Sequence, residues 1–238
     1  MLRKAYGDDI FSRPKDAFDA ITRSLEVFLN DPAEFFPYTS KYDAVLRSQA
    51  ELSAREHRGL ELFNNPDKGN CAHCHPSTIG QNHSFPAFSD YGFAALAVPR
   101  NMALSANKDP DYFDLGLCGP YRTDLAGRTE YCGMFRTPTL RNIALRRTFF
   151  HNGQFHQLRD VMLFYVQRDI HPERWYGKGV HSSRAYDDLP QAYHAQIDKE
   201  PPFNRGPGST PALTDAEIDD IIVFLNTLTD GWKGPKSP

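Results

Sequence analysis

Cysteine and histidine side chains are concentrated at positions 71–75, where the sequence reads Cys71-Ala72-His73-Cys74-His75. This is the pattern C-x-x-C-H. Two thiols three positions apart on a tight turn can each add to one vinyl group of a porphyrin, and the next histidine is then carried beneath the ring to bind iron. The spacing predicts one covalent haem c on Cys71 and Cys74, with His75 as an axial iron ligand. His73 is expected to be a spacer at the haem edge.

Two other kinds of site share the C-x-x-C spacing, a redox-active dithiol and half of a zinc site. A thioredoxin-like dithiol needs a βαβ setting, which the sequence lacks, and a zinc site needs a second compact pair of ligands. Cys118 and Cys132 are too far apart to be that pair. In an oxidising compartment we expect them to form a disulfide that closes a loop of about 15 residues, worth roughly 3 kcal/mol. Two free thiols are the alternative.

The second axial position of the iron decides much of the function, because Met, His, Tyr, water or an open site each give different chemistry. Met102, Met134 and Met162 are candidates by composition, together with several histidines and tyrosines. Met162 and Tyr165 stand three apart on one predicted helix face, so either side chain can point at the same iron. The residues alone leave this choice open, because most such side chains simply belong to a core.

Helical periodicity predicts the elements that must position these residues. The amphipathic segments are residues 14–30, 157–168 and 214–228, with apolar stripes of Phe18, Ile21, Leu25 and Phe28; of Leu158, Val161, Met162 and Tyr165; and of Ile218, Ile221, Ile222, Leu225 and Leu228. Capping boxes, Ser53 with Glu56 and Thr214 with Glu217, predict where the helix before the motif and the last helix begin. A further short helix is expected around Tyr42 to Arg47.

Two long segments, residues 76–133 and 169–213, have poor periodicity and are expected to be irregular. So long a loop inside a compact domain is unusual unless it wraps something, and a haem is the obvious candidate. No β-alternation persists in the sequence. The predicted fold class is therefore mostly α, a c-type cytochrome domain with long haem-wrapping loops.

Composition is that of an ordinary globular protein: 238 residues, 40% hydrophobic and 24% charged, with a net charge of −3. This charge gives no reason to expect nucleic acid or an anionic membrane as partner. No apolar stretch reaches the ~18 residues of a membrane span, and the first residues do not form a secretory signal. Because covalent haem attachment normally takes place outside the cytoplasm, we expect a periplasmic protein whose signal is not part of this chain.

The sequence as a whole resembles the C-terminal, electron-transferring half of the bacterial di-haem cytochrome c peroxidase and MauG family. The matching stretches, in the family's order, are AYGDDIF, FPYTSKYDAVL, RGLELFNNPDKGNCAHCH, DLGLCGP, FRTPTLRNIAL, FFHNGQF and LTDAEIDDIIVFLNTL. In the peroxidases the distal ligand of this haem is a Met in the helix after the F-H-x-G motif. That place is occupied here by Tyr165, as in MauG-type members, so the resemblance favours Tyr165 over Met162.

The resemblance implies three further roles. Arg141 would pair a haem propionate, since a guanidinium matches a carboxylate bidentately, and His151 would line the route between two haems; structural hydrogen bonds are the alternative for both. The family also places calcium between its haem domains, with carbonyl ligands that would align with Arg146 and Thr148. The family's T-A-P is R-R-T here, which argues against calcium in this chain.

The family's N-terminal haem, which cleaves hydrogen peroxide, has no counterpart because a second C-x-x-C-H is absent from the sequence. One hypothesis is the electron-relay half of a di-haem peroxidase-type oxidoreductase, acting with a missing N-terminal haem domain or partner chain and with an electron-donor protein or protein substrate. The other is a free-standing mono-haem electron-transfer cytochrome without peroxidase activity. The resemblance implies a packing segment at residues 1–52, the cytochrome domain at 53–230 and a tail at 231–238.

Overall fold

The computed structural model describes residues 1–177 and 185–234 and is mostly helical. The α-helices in these residues are α1 (Leu2–Tyr6), α2 (Pro14–Leu29), α3 (Pro32–Phe35), α4 (Lys41–Leu46), α5 (Ala54–Asn64), α6 (Leu158–Gln167), α7 (Pro172–Tyr176) and α8 (Asp215–Asn226). Two short strands, β1 (Phe93–Ala94) and β2 (Phe135–Arg136), pair antiparallel. No helix in the described ranges is long and apolar enough to cross a membrane.

The chain divides into two units, Met1–Thr39 and the residues from Ser40 onward. This division differs from the predicted boundary at residue 52, because α4 and the loop after it belong to the second unit. The reason is Asp43 in α4, a fully buried carboxylate that is bonded to Arg141. Of the predicted tail, residues 235–238 lie outside the described residues.

The first unit is built on α2, which begins with Pro14 at its first helical position, where the missing N–H costs nothing. Ile10, Ala17 and Ala20 form its small buried core. The apolar stripe predicted for this helix is present but exposed, with Phe18 at 65% and Phe28 at 56% of full exposure.

The second unit is organised around the crossing of α5 and α8. Gly59 makes the close approach possible, since a Cβ there would collide with the Asp220 carbonyl. Phe63 and Phe224 meet edge to face at 5.4 Å across the contact. Both helices begin with the predicted capping boxes, in which the cap side chain and the carboxylate of the third helical residue each accept a hydrogen bond from the other residue's backbone N–H.

The long connections are largely irregular, as predicted for residues 76–133. The segment 169–213 differs from its prediction, because α7 and a 3-10 helix at Gln191–Gln196 lie within it; its residues 178–184 lie outside the described ranges. Both elements are too short to leave a periodic pattern. Cys118 and Cys132 form the predicted disulfide, which closes a loop with a sequence separation of 14.

Candidate haem-binding site

The C-x-x-C-H motif folds as a tight turn directly after α5. Cys71–His73 form a single 3-10 turn, and the His75 N–H donates to the Cys71 carbonyl at 2.8 Å. Asn70, just before the turn, has a left-handed backbone with φ of 49°, a conformation that Asn tolerates better than most residues. The turn brings both thiols and the following imidazole to the wall of one cavity.

This cavity has a volume of about 440 Å³, and its described lining lies entirely within the second unit. Helices α5, α6 and α8 and the segments around β1 and β2 contribute to its wall. Its large apolar lining residues are Phe63, Leu96, Val98, Phe135, Leu140, Ile143, Phe149, Phe150, Leu158, Val161, Met162, Val166, Leu189, Phe203, Leu213, Ile221 and Leu225. An apolar pocket with a few polar groups is typical of a cofactor site.

His75 is oriented by a backbone carbonyl. Its Nδ1 lies 2.7 Å from the Phe88 oxygen, and because a carbonyl only accepts, Nδ1 carries the proton and donates. Nε2 of the neutral ring then keeps its lone pair. Burial lowers the pKa of His75, which favours this neutral form. A metal-binding histidine typically has this arrangement, with one nitrogen held by the protein and the other free for the metal.

The two motif thiols are free and protonated. Burial raises the pKa of Cys71 to about 12 and that of Cys74 to about 11. A redox-active dithiol needs a lowered thiol pKa, so this environment does not favour that alternative. Among the described residues there is also no cluster of three or more His, Cys, Asp or Glu side chains arranged to hold a metal ion.

Helix α6 places Tyr165 and Met162 on the same cavity, with Leu158 and Val161. The Tyr165 ring stacks on Phe203 at 5.2 Å and on Phe150 at 6.0 Å. Burial raises the pKa of Tyr165, while the guanidinium of Arg168 acts in the opposite direction. Both sequence candidates thus lie at the cavity, and the choice between them remains a proposal.

The expectation that Arg141 pairs a propionate needs correction. Its guanidinium makes a bidentate pair with Asp43, at 3.0 and 2.8 Å, and Arg141 is not among the residues that line the cavity. Burial of Asp43 would raise the pKa of its carboxyl, but the bonds from Arg141 and Ser40 bring that pKa below its usual value. The alternative, a structural hydrogen bond, is what the structure shows.

Two other arginines do line the cavity, Arg136 and Arg146, and both are exposed. Sequence reasoning missed them as candidate partners of propionates, although Arg136 stands inside the FRTPTLRN stretch. Thr148 lines the same cavity, so the segment proposed for calcium contributes to the haem-site wall.

His151 lies at the cavity edge. Its ring stacks on Phe135 at 3.6 Å, and Nε2 is 3.2 Å from Asp188. Asp188, which is 7% exposed, also accepts a bond from Asn152 and pairs with Arg100 at 3.6 Å. All three partners, His151, Asn152 and Arg100, lie 36 or more residues from Asp188 along the chain, so no local sequence signal points to Asp188.

The described residues fit a haem c. Two thiols and an oriented imidazole share one wall, the remaining wall is apolar, a phenol stands on α6, and two guanidinium groups lie at the cavity for carboxylate groups. Each of these groups matches one part of the cofactor: vinyl groups, iron, the macrocycle and its propionates.

No family model matches the chain. MauG, a methylamine utilization protein of Paracoccus denitrificans, is 28% identical over 238 aligned residues, which cover 94% of this chain and 55% of the relative. MauG of Methylophilus methylotrophus is 24% identical over 173 residues, 73% of this chain and 43% of the relative. The chain therefore spans about half the length of the curated relatives it matches.

Solved structures of related proteins are consistent with the sequence relatives. The diheme peroxidase BthA of Burkholderia thailandensis superposes with a TM-score of 0.84 and 40% identity, over 97% of this chain and 55% of that one. A MauG-like protein associated with microbial copper homeostasis gives a TM-score of 0.52 and 27% identity, over 82% and 49%. The predicted mostly helical cytochrome fold is confirmed, and these relatives support a relationship to the MauG-like and diheme peroxidase family of haem oxidoreductases.

Proposed function

We propose that this chain is the electron-transferring c-type haem domain of a di-haem cytochrome c peroxidase or MauG-like oxidoreductase. The observation that carries the proposal is the single cavity shared by Cys71, Cys74, His75 and Tyr165. The two thiols would anchor one haem c, and His75 Nε2 and the Tyr165 oxygen would be its axial ligands. When bound, the haem supplies a one-electron redox centre.

Tyr165 is the better axial candidate because of its oxygen. A phenolate is a hard, anionic donor that stabilises ferric and higher iron states more than a thioether such as Met162 does. To act this way Tyr165 must lose its proton, which its burial opposes and the nearby Arg168 favours. Part of the opposing effect is the coupling of Tyr165 to the ionisable thiols of Cys71 and Cys74, and thioether formation would remove those ionisable groups.

With His75 and Tyr165 both bound to iron, this site would have no open position for peroxide, and the chain would relay electrons. Reduction of hydrogen peroxide, coupled to oxidation of an electron-donor protein or a protein substrate, would then take place with a second haem domain, N-terminal or on another chain. The exposed apolar side chains of α2 and of Phe35 and Phe36 support such a partner, since large exposed apolar patches mark interaction surfaces. We expect a periplasmic location.

The test is to produce the chain with haem-attachment machinery and to record absorbance spectra before and after adding hydrogen peroxide. We expect covalent haem, a six-coordinate low-spin ferric spectrum and no rapid response to peroxide. Tyr165→Phe should retain the haem but convert the iron to high spin, whereas Met162→Leu should leave the wild-type spectrum. The reverse pattern would make Met162 the ligand, and rapid formation of a high-valent spectrum would contradict the relay function.

A stand-alone mono-haem cytochrome is the second candidate. It is favoured by the described cavity lining, which comes entirely from the second unit and needs no other domain to form its wall. Reversible one-electron reduction by a small cytochrome, without any gain of peroxide turnover when a di-haem partner is added, would support this candidate over the first.

A further inference from the structure

The carbonyl that accepts the His75 hydrogen bond belongs to a short segment, residues 86–89, that is tied to residues 137–141. Three hydrogen bonds make the connection: Arg141 Nε donates to the Pro86 carbonyl at 3.0 Å, the Thr139 hydroxyl to the Ala87 carbonyl at 2.6 Å, and the Ser89 hydroxyl to the Thr137 carbonyl at 2.8 Å. The residues on both sides of Phe88 are therefore fixed, and Phe88 presents its own carbonyl to His75.

This connection continues the pairing of β1 with β2. Phe93 lies opposite Arg136, and the Thr137 N–H donates to the Gly92 carbonyl at 2.9 Å. Beyond that point the two segments remain antiparallel neighbours, but side chains replace one partner in each bond. We call the two paired segments, residues 86–94 and 135–141, the ribbon; it thus reaches the peptide beside His75.

Phe88 needs such support. Its side chain is fully buried and its φ is 51°, a left-handed conformation that a bulky residue adopts only when its surroundings impose it. Arg141 is itself held by the buried carboxylate of Asp43, and its backbone N–H donates to the Thr139 hydroxyl at 3.1 Å. Side chains on α4 and on the ribbon therefore combine to fix one carbonyl.

We infer that Thr139 and Arg141 are positioning residues that aim the Phe88 carbonyl at His75 Nδ1 and thereby set the donor strength of this imidazole toward iron. The inference rests on the proposed haem ligation. A hydrogen bond from the distant ring nitrogen raises the basicity of a metal-bound histidine, and outer partners of this kind change metal affinity by about 10–100-fold. Thr139 and Arg141 act one layer further out, so their effect should be smaller.

The test uses Thr139→Val, which keeps the shape of the side chain and removes the hydroxyl, with Thr139→Ser as the variant that restores it. Thr227→Val is the matched control, because the Thr227 hydroxyl donates to the Phe224 carbonyl at the same 2.6 Å but not to residues 86–89. For each haem-loaded chain, haem content, the midpoint potential and the ferric EPR spectrum are measured.

We expect full haem content throughout. In Thr139→Val the equilibrium should shift from the ferric toward the ferrous state by up to about tenfold. The midpoint potential of this one-electron couple should therefore rise by up to about 59 mV. Its EPR g-values should shift, and Thr139→Ser should restore both properties. Arg141→Lys, which loses the bond to Pro86 but keeps a cation beside Asp43, should give a smaller shift and is the second variant if Thr139→Val does not fold.

Equal potentials for Thr139→Val, Thr139→Ser and wild type would overturn the inference while leaving the haem site intact. A shift of the same size in Thr227→Val would also overturn it, because the effect would then reflect general loosening. Absence of covalent haem in the wild-type chain would instead refute the proposed function, and the inference with it.

Discussion

Replacing Asp43 by Asn tests how strongly the second unit depends on its buried ion pair. The Asp43 side chain is fully buried and accepts four hydrogen bonds, two from Arg141 and two from Ser40. One oxygen, Oδ2, accepts three of them and Oδ1 accepts one. The asparagine amide can place its oxygen at the Oδ2 position, so that only the Arg141 Nη2 bond is lost.

The expected loss of unfolding free energy in Asp43→Asn follows from the number of hydrogen bonds that are lost. An orphaned buried donor costs about 1–3 kcal/mol, and breaking a buried ion pair by removing one partner's charge costs about 3–5 kcal/mol. Because asparagine preserves most of the bonds, we place Asp43→Asn at the lower end, about 3 kcal/mol. For a unit of this size that corresponds to a Tm lower by about 6–12 °C.

The difference in unfolding free energy between the wild type and Asp43→Asn should depend on pH. The pKa of Asp43 is lowered in the folded state, because its bonds to Arg141 and Ser40 outweigh the effect of burial. The stabilisation by its charge is therefore fully present above the ordinary aspartate value of 3.8 and is lost as the pH falls through the lower folded value. The two unfolding free energies should converge only in that acid range.

The assay is urea unfolding of the haem-loaded chain, followed by far-UV circular dichroism at several pH values. Asp219→Asn is the control, since Asp219 pairs with Arg159 on the surface, where such a pair is worth about 0–1 kcal/mol. A loss in Asp43→Asn no larger than in Asp219→Asn, or a difference that does not narrow in acid, would refute the assignment of the pair as a buried structural anchor.

Two further changes test the framework around the cavity. Gly59→Ala should destabilise the second unit by about 1–3 kcal/mol, because the added methyl group collides with the Asp220 carbonyl; Gly206→Ala, where a Cβ meets nothing within 4 Å, should be close to neutral by the same unfolding assay. Replacing Cys118 and Cys132 together by Ser should cost about 3 kcal/mol while mass spectrometry still finds covalent haem; loss of haem in this double variant would mean that the disulfide shapes the haem site.

Local interactions made several elements predictable. Ser53 and Thr214 mark helix starts because their partners, Glu56 and Glu217, stand three residues away, and the C-x-x-C-H turn is fixed within five residues. The short helix α4 was also predicted. In each case the stabilising contact lies within one turn of chain, which a sequence displays directly.

The rest depends on contacts between distant residues. Arg141 reaches Asp43 across 98 positions, so the sequence could indicate a carboxylate partner but not which carboxylate. The resemblance suggested a propionate, and the fold supplied a protein carboxylate instead. The helix α2 illustrates a different limit, because periodicity predicted the apolar stripe of Phe18 and Phe28 correctly but not that it is exposed.

At the end of the stretch from Phe135 to Arg141, the last three residues contribute both to the cavity wall and to the support of residues 86–87. Leu140 lines the cavity, while Thr139 and Arg141, on either side of it, turn to the backbone of residues 86–87. Neighbouring side chains of this short segment face different parts of the molecule, so it can contribute both to the cavity wall and to the support of His75. Substitutions here should therefore separate: a change at Leu140 would alter packing in the cavity, whereas a change at Thr139 would alter the potential without altering the wall.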